Sequence, residues 1–144
     1  MADYEQTERK LLAVIEEAFP LCIRLRDYSQ ENMNHFESSS DEEIIQAIGA
    51  RESYINQLLN LECQFNQIIE EAGVTPHNLP RQVADAREDV RAVLKEIAQV
   101  DNSAITVLSG KIQTYKNDAL KASSKKQLSA YLQASMWSEF GQHF

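Results

Sequence analysis

The stretch SDEEIIQAIGARESYINQLLNLECQFNQIIEEAG, residues 40–73, is where the fold is decided. Ser40 followed by Asp41, Glu42 and Glu43 is a capping box. The serine oxygen can accept the backbone N–H three residues on, and the Glu43 carboxylate can reach back to the serine N–H. A helix therefore starts at Asp41. Its apolar residues Ile44, Ile45, Ile48, Ile55, Leu58, Leu59, Phe65, Ile68, Ile69 and Ala72 keep helical spacing for about eight turns. Gly73 then supplies the left-handed stop. A stripe this long belongs to a helix of residues 41–72 that packs on other helices.

Working outward, Leu11, Leu12, Ile15, Ala18, Phe19, Cys22, Ile23 and Leu25 form one broad helical face within residues 4–36. Pro20 falls inside it. A helix-interior proline loses an N–H and clashes with the preceding turn, at about 3 kcal/mol, which predicts a kink or a break between residues 16 and 20. On the other side, GVTPHNLP, residues 73–80, is a loop, with Pro80 suited to the first position of the next helix. The third pattern, Val83, Val90, Leu94, Ile97, Ala104, Leu108, Ile112 and Tyr115, is near-heptad and predicts a helix over 80–122. Asp101 interrupts this seam where an apolar residue is expected, and Gly110 allows a bend. Ser123 and Ser124 either end the helix or open a short final one over 124–138, in which Leu128, Tyr131, Leu132, Met136 and Trp137 share a face. The expectation is an all-α, antiparallel bundle of three long helices with a short C-terminal helix or tail, in one domain spanning 1–144.

Composition agrees. The 144 residues contain only four Gly and three Pro, too few turn formers for an all-β sandwich or barrel. The net charge of −8 argues against general binding to nucleic-acid phosphates or anionic lipid. Residues 1–75 hold 5 Lys/Arg and 15 Asp/Glu, whereas residues 76–144 hold 9 and 7, so the acidity lies in the first half. Lys111, Lys116, Lys121, Lys125 and Lys126 make a local basic stretch. Cys22 and Cys63 lie in apolar helical patterns without metal-ligand or redox spacing and read as small buried hydrophobes. With no signal sequence and no apolar run of about 20 residues, the expected compartment is the cytosol, without membrane insertion.

Catalytic chemistry finds little footing. Paired Glu-x-x-His motifs of di-iron bundles do not occur, and His35, His77 and His143 fall near a helix end, in a loop and in the tail, as solvated residues. His35 also lacks the mid-helix setting of a phosphotransfer histidine. The four glycines are isolated, so no phosphate-cradling loop is formed. The serine clusters at 38–40 and 123–124 lack a histidine base with an orienting acid and read as cap and turn residues. The adjacent pairs Glu16-Glu17, Glu42-Glu43 and Glu70-Glu71 point in different directions around their helices. No enzyme and no cofactor is expected. Amphipathic helices with apolar surface to spare bind another helix, in cis or from a partner, and the same helices would serve a structural or regulatory coiled-coil adaptor.

The C-terminal third carries a resemblance. VDNSAITVLSGKIQTY, residues 100–115, followed by SKKQLSAY, residues 124–131, resembles the flagellar type III export chaperones of the FliT type, with the FlgN type as kin. Those proteins similarly have an Asp in mid-helix, a long polar helix after it and a basic approach to an Ala-Tyr pair. FESSSDEEII, residues 36–45, and ARESYINQL, residues 50–58, are similar to the family's short polar turn, acidic helix start and Arg-Glu core. The resemblance spans about residues 8–135. It implies a cytosolic helical bundle that binds a C-terminal helical segment of a hook-associated (hook–filament junction) or filament-cap subunit. It also implies docking to the export gate through Tyr131, contacts with the export ATPase complex, and a C-terminal segment, residues 124–140, that competes with the client. The candidate partner-binding residues are Leu128, Tyr131, Leu132, Met136 and Trp137; a homo-oligomer is compatible with the same surfaces.

Overall fold

The computed structural model describes the backbone of residues 2–75, 77–115 and 121–133, and side chains within those ranges from residue 4 to residue 131. Four helices follow one another: α1 (Ala2–Met33), α2 (Asp41–Ala72), α3 (Arg81–Thr114) and α4 (Ala122–Gln133). The described residues are all-α, with three long helices packed together and a short fourth.

The local signals around α2 act as the sequence requires. Ser40 Oγ accepts the Glu43 N–H at 3.2 Å while Glu43 Oε1 accepts the Ser40 N–H at 3.1 Å. At the other end Gly73 adopts φ 69°, and the N–H groups of Gly73 and Val74 close onto the carbonyls of Glu70 and Ile69, both at 3.2 Å. This satisfies helix-terminal carbonyls with the one left-handed residue among those described. The serine triplet closes the turn that follows α1. The Ser38 and Ser39 hydroxyls both donate to the His35 carbonyl, at 3.2 and 2.7 Å.

Three expectations are corrected. First, of the kink or break expected at Pro20, the break does not occur, and α1 is continuous through it. Pro20 is exposed, so the unpaired carbonyl that its missing N–H leaves can turn to water. Second, the third helix begins at Arg81, with Pro80 as its N-cap, and ends at Thr114 rather than near residue 122. Lys116-Asn117-Asp118 offer no apolar side chain to prolong the buried stripe, and a separate α4 starts at Ala122. Gly110 lies within α3. Third, Cys22 is buried, its thiol pushed up to about 12 by desolvation, but Cys63 is exposed. Cys63 occupies the solvent side of α2 between the buried residues Leu61 and Phe65.

The bundle has two apolar cores stacked along its length. In the first, Leu11 to Leu25 of α1 meet Ile55 to Phe65 of α2 and Val83 to Ile97 of α3. In the second, Met33 and Phe36 at the end of α1 join Ile44, Ala47 and Ile48 of α2, Val100, Ala104 and Leu108 of α3, and Leu128 of α4. The helix order in each core shows that α1 and α3 run opposite to α2. Where α1 stops, α4 takes over its share of the cover on α2 and α3.

Candidate partner-binding site

Between the two cores lies a polar layer. Arg51 on α2 and Asp101 on α3 are only 2% and 4% exposed. They form a two-pronged ion pair, Nη1 to Oδ1 at 2.5 Å and Nη2 to Oδ2 at 3.1 Å. The same Nη1 is 3.3 Å from Met33 Sδ, which ties the end of α1 to the pair. Ser29, one turn earlier on α1, is fully buried too. Burial holds the Asp101 carboxyl above the ordinary carboxylate range, partly offset by the Arg51 guanidinium. A planar guanidinium suits this fork, which a lysine cannot make. The interruption seen in sequence at Asp101 is therefore half of a pair. The sequence reading did not single out Arg51, although Ile44, Ile48, Arg51, Ile55 and Leu58 keep the alternating four- and three-residue step of a buried seam through the arginine.

Beyond this layer, α4 lies on the faces of α2 and α3. Its direction follows from two contacts. Lys121, immediately before the helix, reaches Asp41 at the start of α2, and Tyr131, near the other end, brings its hydroxyl to the side of α2 at Gly49. A Cβ built on Gly49 would lie 3.9 Å from the Tyr131 oxygen, an ordinary van der Waals contact, which places the hydroxyl against this side of α2. α4 thus runs parallel to α2. Lys121, Ser124, Leu128 and Tyr131 are spaced by three, four and three residues and make one stripe facing the bundle. Leu128 is fully buried in the second core, with Tyr131 half-buried beside it.

Asp41 is the polar end of this seat. It is buried, and its Oδ1 accepts the Tyr115 hydroxyl at 2.7 Å while Oδ2 accepts the Lys121 ammonium at 3.3 Å. Ser124 stands on the same side and helps to lower the same carboxyl. The Lys121 ammonium also stands over the Tyr115 ring, 5.4 Å from its centre. Burial pushes the Asp41 carboxyl up, but the donors from Tyr115 and Lys121, the lysine charge and Ser124 outweigh it, so the acid titrates below the ordinary carboxylate range.

Of the five residues expected to bind a partner, Leu128 and Tyr131 come together on the stripe. Leu132 lies within α4 with its side chain outside the described part, and Met136 and Trp137 lie outside the described residues. The sequence reading did not single out Asp41, Tyr115 or Gly49 as site residues. Locally Asp41 is only an acidic helix start, and nothing nearby in the chain joins it to a lysine 80 positions later. His35 and His77 are exposed, and no group of His, Cys, Asp and Glu among the described residues is placed to hold a metal ion. No described helix is long and apolar enough to cross a membrane. Comparison with family models, curated proteins and solved structures found no match to this chain. What the fold and the seat define is a helical bundle whose second core is closed by a short helix of its own.

Proposed function

We propose that this protein is a non-enzymatic cytosolic chaperone for flagellar export. It binds a C-terminal helical segment of a filament-cap or hook–filament junction subunit and hands it to the type III export gate and its ATPase complex. The observation that carries the reading is the way α4 closes the second core. A 12-residue helix with Leu128 as its fully buried anchor covers apolar faces of two helices more than 30 residues long. Isolated helices of this length are marginal in water, so α4 owes its order to docking. A segment held this way can be exchanged for a longer amphipathic helix from a client. The resemblance of residues 100–115 and 124–131 to the FliT type supplies the identity of the client.

Competition of this kind sets affinity. If the seat is open only a fraction of the time, the apparent dissociation constant of the client rises by the inverse of that fraction. Tyr131 gives the exchange a direction. While α4 is docked the tyrosine rests against α2; once a client lifts α4, the Ala130-Tyr131 pair is free to meet the export gate. Loading and gate docking are then coupled.

Titration calorimetry tests this, using C-terminal peptides of filament-cap and hook–filament junction subunits against the full chain and a Leu128→Asp variant that undocks α4. Micromolar binding that tightens in the variant is the expected result. No binding to either form, with helicity intact, overturns the reading in favour of a coiled-coil adaptor.

A further inference from the structure

The seat of α4 has a charged end as well as an apolar floor. Asp41 is buried at the first residue of α2, and of its two side-chain donors, Tyr115 and Lys121, the lysine belongs to the segment that covers it. When that segment leaves, the carboxylate keeps the Tyr115 hydroxyl and loses its cation. A partner helix that covers the same floor with apolar residues alone would bury a carboxylate stripped of its cation, which is strongly unfavourable. A partner that brings its own cation restores the pair.

Spacing makes the requirement specific. Lys121 and Leu128 are seven residues apart, two helical turns, or about 10 Å along a helix axis. With the leucine in the second core, the ammonium lands on Asp41.

We propose that Asp41 selects the partner of this groove: the segment that replaces α4 is an amphipathic helix carrying a lysine or arginine seven residues before a leucine-like anchor. The inference rests on the reading of α4 as an exchangeable cover. It adds the chemistry of the occupant, derived from the segment seated there and from the charge beneath it. Apolar helices of equal hydrophobicity without the basic residue are rejected by the carboxylate rather than by shape.

The test uses the full-length chain carrying Leu128→Asp and four labelled synthetic peptides of residues 119–133: the native sequence, Lys121→Gln, Lys121→Glu and Leu128→Ala. Fluorescence anisotropy is expected to show binding of the native peptide, about tenfold weaker binding of the Gln peptide, as for loss of one charge-assisted hydrogen bond, and further loss with Glu. Introducing Asp41→Asn into the protein, with the far-UV circular dichroism unchanged, should bring the native and Gln peptides to equal affinity. Asp41→Lys should restore the Glu peptide. Equal binding of the native, Gln and Glu peptides, with the Leu128→Ala peptide failing, overturns Asp41 as the selector and leaves the exchangeable groove standing. Failure of all four, the native peptide included, removes the groove and the selection together.

Discussion

Arg51 and Asp101 face each other in the middle of the bundle, where each would otherwise be an uncompensated buried charge. Asp101 titrates upward on folding because its desolvation outweighs the attraction of Arg51. The pair therefore specifies how α2, α3 and the end of α1 align more than it stabilises them. Asp101→Asn is expected to cost about 3–5 kcal/mol in urea unfolding, because the guanidinium is left buried without its counter-charge. The double variant Arg51→Met with Asp101→Leu should return to within about 1 kcal/mol of the parent or exceed it. A single variant as mild as a surface substitution would show that water reaches the site. The sequence showed the anomaly at Asp101 but not its resolution, since the two residues are 50 positions apart and are joined only by the packing of separate helices.

At the scale of elements, legibility followed the range of the forces involved. Both ends of α2 were readable because a capping box and a glycine C-cap are made by residues within five positions of each other. The end of α3 was not, since Ile112 and Tyr115 continue the apolar period up to the point where the chain leaves α3 to reach Asp41. Pro20 allowed a break that does not occur. Its penalty is real, but α1 is packed against both α2 and α3 along the first core, and that burial holds the helix together through the proline. Because Pro20 is exposed and the helix around it is intact, Pro20→Ala is expected to stabilise the protein by about 2–3 kcal/mol through the regained hydrogen bond and the removed clash. Chemical denaturation reads this directly; an unchanged midpoint would mean that the backbone around residues 16–20 has already relaxed the strain.

For the whole molecule, the ion-pair layer divides a long bundle into an end closed by α1 and an end closed by α4. The second end depends on a short helix and on an ionised Asp41. A carboxylate depressed on folding contributes stability above its unfolded titration range and loses it as pH falls through the folded value. Amide exchange is therefore expected to show α4 losing protection in acid, below the ordinary carboxylate range, while residues 11–25 and 55–65 of the first core remain protected. Asp41→Asn should abolish that acid step. Simultaneous loss of protection at both ends would mean that the two cores open as one unit.

The sequence by itself determined the fold class, the start and stop of α2, the loop at 73–80 and the faces of α1 and α3 that turn inward, except that Phe19, counted on the α1 face, is exposed. Apolar periodicity and capping act between residues a few positions apart and so can be read along the chain. Only the tertiary structure decided that α3 ends at Thr114, that Arg51 answers Asp101, and that Asp41 receives Tyr115 and Lys121 beneath a docked α4. Those choices rest on the desolvation and pairing of charges carried by different helices, and such terms have no value until packing brings the groups together and excludes the water between them.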